Sequence, residues 1–194
     1  TLGAIRRQAN SIEQQTVAAG KAVDAARDNA AAARLNAQAI IDAERAWLVA
    51  EPHNPTELGP IDSGQILFMV KNVGKTPAII VERSHIGVRI REGDALPEQP
   101  NFADGRIIAE VGALLPPGMV LPILAYINKP AMESIKKDES TLYIYGFVKY
   151  CDIFDRTKIH ETRYCFRYHQ KRGEQDSLGA GFYFDGPPEY NKAS

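Results

Sequence analysis

The chain has 194 residues, with 23 basic and 24 acidic side chains, so no global field draws it to nucleic acid or to an acidic surface. Two cysteines are too few for a disulfide-stapled scaffold, and no apolar run reaches the roughly 18 residues that a membrane-spanning helix needs. The length suits one domain with a sizeable core, or a domain with an extended appendage.

Residues 1–46 read as one long helix. There are 16 alanines up to Ala50, no proline in this stretch, and glycine only at Gly3 and Gly20. Ile5, Ile12, Ala19, Ala26, Ala33, Ile40 and Trp47 recur every seven residues. Three residues before each lie Leu2, Ala9, Thr16, Val23, Ala30, Ala37 and Glu44. This is a heptad seam, with Leu2, Ile5, Ile12, Val23 and Ile40 as its large interaction residues. Its other members are small, so each contact buries little area at ~25 cal/mol per Å², and pairing through the helix alone should be weak. At 1.5 Å per residue the helix would reach roughly 70 Å, too long for one small domain to cover. It reads as a stalk for self-association or for a protein partner.

From Ala46 the helical period disappears. The runs "AWLVAE" (46–51), "GQILFMVKNV" (64–73), "AIIVERSHIGVRIRE" (78–92), "GRIIAEV" (105–111), "MVLPILAYI" (119–127), "TLYIYGFVKYC" (141–151) and "IHETRYCFRY" (159–168) read as strands. The turn clusters "NPTELGPIDSG", "NVGKTP" and "LLPPG" separate them. Short strands at this spacing predict an all-β sandwich of immunoglobulin-like type behind one long N-terminal α-helix. Residues 129–140 could form a short helix. The division expected is a stalk at 1–46, a sandwich at 47–186 and a C-terminal tail at 187–194, the tail preceded by a possible edge strand.

"YGFVKYCDIFDRTKIHETRYCFRYH" (145–169) holds both cysteines and two of the four histidines. Two β-rich runs around "DIFDRTK" predict a hairpin turning near Asp155–Arg156, with paired positions summing to about 311–313. That register puts Cys165 opposite residues 146–148 and separates the thiols by roughly 13 Å, too far for a disulfide. Cys165 and His169 are spaced too widely on one strand to share a zinc ion, so no metal or cofactor is expected. Cys151 and His160 could face each other, but a mid-hairpin position offers nothing to activate a thiol, and no catalytic residue is assigned. "NVGKTP" lacks the spacing of a phosphate loop and reads as a turn. Arg83, His85, Arg89 and Arg91 alternate along one strand as its solvent face, and Arg163, Arg167, Lys171 and Arg172 form a second solvated cluster.

"ERAWL" (44–48), "VKNVGKTPA" (70–78), "LLPPG" (114–118) and the pattern Tyr150, Asp152, Phe154, Thr162, Cys165 carry a resemblance. The chain resembles a widespread group of proteobacterial membrane-anchored proteins in which an alanine-rich helix precedes a β-sandwich. It departs from them at Asp155, where that group tends to have glycine. The resemblance implies an anchor upstream of Thr1, consistent with a chain opening without Met, and no known activity. Arg6 and Arg7 would then be juxtamembrane, favouring the cytoplasmic side of a bacterial inner membrane. The function expected is a non-enzymatic interaction or scaffolding module. The alternatives are an accessory subunit docking by its helix on a membrane complex, or an enzyme or metal sensor built on Cys151, His160, Cys165 and His169.

Overall fold

The structure, a computed structural model, describes residues 2–52, 65–91, 94–170 and 177–194. It contains two compact units, Thr1–Glu44 and Arg45–Ser194. The first is a single helix, α1 (Leu2–Glu44), as its alanine content requires. Every described side chain of α1 from Leu2 to Ile40 is exposed.

The second unit runs β1 (Leu48–Pro52), β2 (Gln65–Asn72), β3 (Ala78–Arg91), β4 (Arg106–Leu115), β5 (Val120–Tyr126), α2 (Lys129–Lys136), β6 (Ser140–Cys151), β7 (His160–His169) and β8 (Gly181–Phe184). Its strands form two antiparallel sheets, ordered β1-β2-β5 and β4-β3-β6-β7-β8. The sheets pack as a sandwich on the inward side chains of alternating strands, among them Phe68, Val70, Ile123, Ile144, Val148 and Phe166. Phe68 stacks on Phe166 at 5.2 Å and meets Phe182 edge-on at 5.3 Å, joining the two sheets through one aromatic cluster.

The larger sheet is buried on its other face too, under Ile86, Tyr145, Cys165 and Tyr190, with Leu96 and Phe102 against them. Burial on both sides explains why β6 is almost continuously apolar rather than alternating. Gly146 is required within it. A Cβ there would overlap the Ser84 carbonyl oxygen and lie 2.6 Å from the Tyr164 hydroxyl, so the missing side chain lets the Tyr164 ring cross the strand.

Three expectations are corrected. β4 runs past residue 111 to Leu115, because Gly112 (φ 83°) absorbs a bulge instead of ending the strand. That irregularity, between Ile80 and Glu82 on β3, also turns Arg83 and His85 away from the expected solvent face. Both line the cleft towards β5, and Arg83 Nη1 donates to the Pro122 carbonyl at 3.0 Å. Residues 187–194 are part of the sandwich rather than a coil tail. Tyr190 is buried, and Arg163 N donates to Lys192 O and Ser194 N to Glu161 O along β7. The cluster at 54–64, Lys171, Arg172 and the side chains of Arg89 and Arg91 lie outside the described residues.

One end of the sandwich is closed by α2. Asn128 caps it by accepting from Ala131 N, Pro130 sits in its first turn, and Met132 and Ile135 enter the core. The opposite end is built, among the described residues, from the β2–β3, β4–β5 and β6–β7 turns together with the entering segment Arg45–Trp47 and Ser194.

Candidate functional site

The hairpin that concentrates the reactive side chains does not bring them together. β6 and β7 pair Tyr143 with Arg167 and Tyr150 with His160, so partners sum to 310, a shift of one to three from the expected register. Cys165 lies opposite Tyr145, and His160 opposite Tyr150 rather than Cys151. The reason is the loop. Asp152 Oδ1 accepts from Phe154 N at 2.8 Å and Asp155 N at 3.0 Å, which fixes the first bend earlier than the midpoint assumed. Both thiols are free and buried. Burial pushes the Cys165 thiol up to about 12 and raises that of Cys151, which leaves neither as an activated nucleophile near neutral pH. His169 packs edge-on to Tyr183 at the far end of β7. Among the described residues, no group of three or more His, Cys, Asp or Glu side chains could hold a metal ion.

A different constellation is assembled. Arg45, Asp152 and His160 are each less than 10 % exposed. His160 Nε2 lies 3.5 Å from Asp152 Oδ2, while its Nδ1 faces Arg45 Nη1 and the Ser194 carbonyl. Arg45 Nη1 also lies 3.3 Å from Nε2, so the guanidinium meets both ring nitrogens, while the Ser194 carbonyl can accept only from a protonated Nδ1. Arg45 Cζ also lies over the Trp47 ring, 3.7 Å from its centroid. The sequence points from His160 to Cys151 and not to Arg45, because a partner 115 residues away leaves no local signal. The imidazole and carboxylate are packed against protein, His160 at 2 % and Asp152 at 3 % exposure. The arrangement is a clamp that fixes the chain where it enters the sandwich.

Asn72 completes the same region. Fully buried, it donates to Thr76 O at 2.8 Å and Leu115 O at 2.9 Å, and accepts from Gly74 N at 3.0 Å and Trp47 N at 3.4 Å. Gly74 leaves room for this, since a Cβ there would overlap the backbone of Arg45 and Trp47. Segments far apart in sequence ("ERAWL", "VKNVGKTPA", "LLPPG" and the turn around Asp152) therefore converge on one end of the sandwich, the Trp47 pole.

The interaction residues of the helix, Leu2, Ile5, Ile12, Val23 and Ile40, are 52–85 % exposed. On a straight helix a seven-residue repeat drifts by about 20° per heptad, so these side chains wind slowly around α1. No helix among the described residues is long and apolar enough to cross a membrane. No family of known proteins matches the chain, nor does any curated protein or solved structure.

Proposed function

We propose that the chain is a non-enzymatic interaction module, in which α1 self-associates and carries a sandwich as its head group. The observation behind this reading is the exposure of the seam: a 43-residue helix leaves Leu2, Ile5, Ile12, Val23 and Ile40 in water. An isolated helix gains its stability from packing an apolar face, and a second helix with the same repeat supplies that face by knobs-into-holes contacts. Small residues at the remaining seam positions allow close approach with modest affinity. A membrane anchor upstream of Thr1, facing the domain to the cytoplasm, would raise the local concentration and strengthen the pairing.

The sandwich is read as immunoglobulin-like. Naming its strands A, B, C, C′, E, F and G in chain order, β1 to β7, gives A-B-E in one sheet and C′-C-F-G in the other, with β8 added at the edge. That order supports the immunoglobulin-like reading, and such a sandwich hosts many functions and so assigns none by itself.

Sedimentation equilibrium of the full chain tests the reading. A mass above one chain that falls to the monomer in an Ile12→Asp, Ile40→Asp variant is expected. A monomer at all accessible concentrations, or an assembly indifferent to both substitutions, sinks it.

A further inference from the structure

The two ends of the sandwich are finished differently. At one, α2 turns Met132 and Ile135 inward. At the Trp47 pole the turns point large apolar side chains outward: Val73 (52 % exposed), Leu114 (58 %), Met119 (56 %), Ile153 (48 %), Phe154 (49 %) and Ile159 (46 %). They come from the β2–β3, β4–β5 and β6–β7 connections and, for Leu114, from the last turn-ward residues of β4.

The ladder places these connections side by side. Ile79 pairs with Leu114 on one side and Cys151 on the other, and Asn72 N donates to Met119 O. From β4 to β7 is three strand spacings, about 14 Å, and the second sheet lies about 10 Å away, so the tips share one end surface. Exposed Lys75, Arg156 and Lys158 stand among them. Of the two acids in that loop, Asp155 accepts from both the amide and the hydroxyl of Thr157, and Asp152 is buried beside His160, where the Arg45 guanidinium balances its charge. The pole is thus net basic on a chain whose formal net charge is −1.

We propose that the Trp47 pole docks on an anionic lipid surface, its apolar tips entering the headgroup region while Lys75, Arg156 and Lys158 meet lipid phosphates. Charge decides the occupant. A second copy would bring the same cations against these, whereas an anionic bilayer attracts each of them and also solvates separate apolar tips. The inference is independent of the pairing through α1.

Co-sedimentation of the full chain with phosphatidylcholine vesicles, with and without phosphatidylglycerol, is the test. Trp47, the single tryptophan, reports docking by a blue shift. Binding should require the anionic lipid. Arg156→Ala and Lys158→Ala should each weaken it about fivefold, the equivalent of about 1 kcal/mol per basic residue. Phe154→Glu and Met119→Glu should abolish it while leaving the circular dichroism spectrum and the solution mass unchanged. No binding to anionic vesicles overturns the proposal, as does binding that survives both tip substitutions, which would assign it to α1. A tip substitution that lowers the solution mass without vesicles identifies a second copy as the occupant and overturns it equally.

Discussion

Asn72 shows how much one buried polar side chain can hold. It serves two donors and two acceptors on three segments, and leaves none of its own hydrogen-bonding groups idle. Asn72→Ala strands the Leu115 and Thr76 carbonyls and the Gly74 amide, at a cost of about 3 kcal/mol. For a domain of this size that lowers Tm by roughly 6–12 °C, readable by calorimetry. Cys165 gives a second measurement at this scale. With the thiol held at about 12, the unfolded chain ionises near pH 9 while the folded one keeps its proton. Its contribution to stability is therefore complete below about pH 9 and declines as pH rises towards 12, by up to about 1.4 kcal/mol per unit. Denaturant midpoints of the Cys165→Ala variant should show a shallower alkaline decline than those of the native chain. An identical pH dependence would remove Cys165 from the explanation.

Among the elements, β5 is an edge strand that faces solvent with its pairing groups blunted. Pro122 lies opposite Met69, and the neighbouring Val70–Leu121 and Phe68–Ile123 positions carry the ladder bonds to β2, so the missing N–H of Pro122 falls on the free side. Its carbonyl there is taken by Arg83. Pro122→Val restores a donor in an apolar edge, and static light scattering should detect concentration-dependent association beyond that of the native chain. The strands themselves were legible because each is a β-branched or aromatic run bounded by turn-forming residues (glycine, proline or, between β6 and β7, aspartate), and β1 to β7 fall on the expected segments. What periodicity could not reveal was which face each side chain takes. A bulge beside Val81 shifts the alternation of β3, and burial of the larger sheet on both sides removes alternation from β6. Likewise, "ILFMV" and "LPILAY" suggest full burial, yet Leu124 and Tyr126 are 42 % and 62 % exposed on the outer face of the smaller sheet. The Arg45–His160–Asp152 clamp was invisible for a related reason: it depends on tertiary pairing of residues that carry no shared local pattern.

For the whole molecule the question is whether α1 serves the folding of the sandwich or its assembly. The sandwich has a core of its own in Phe68, Ile80, Ile144, Tyr164 and Phe166, each at most 1 % exposed. Among the described residues, the buried core lies entirely within Arg45–Ser194. Removing residues 1–43 should therefore leave a cooperatively melting domain, within a few degrees of the full chain, and reduce any oligomer to monomer. The boundary of the cut matters more than its length. Extending the deletion through Trp47 removes Arg45 from beside His160, and with it the guanidinium that faces the imidazole and lies over the indole. It also leaves Asn72 without one donor and the Val73 amide without the Trp47 carbonyl, so a further loss of about 3–5 kcal/mol is expected. Paired melts of the two truncations separate the roles: a large drop between them, with little change before the first, assigns folding to Arg45–Trp47 and assembly to the helix. Unfolding by the shorter deletion would instead make α1 part of the domain's stability and remove the basis for reading it as a stalk.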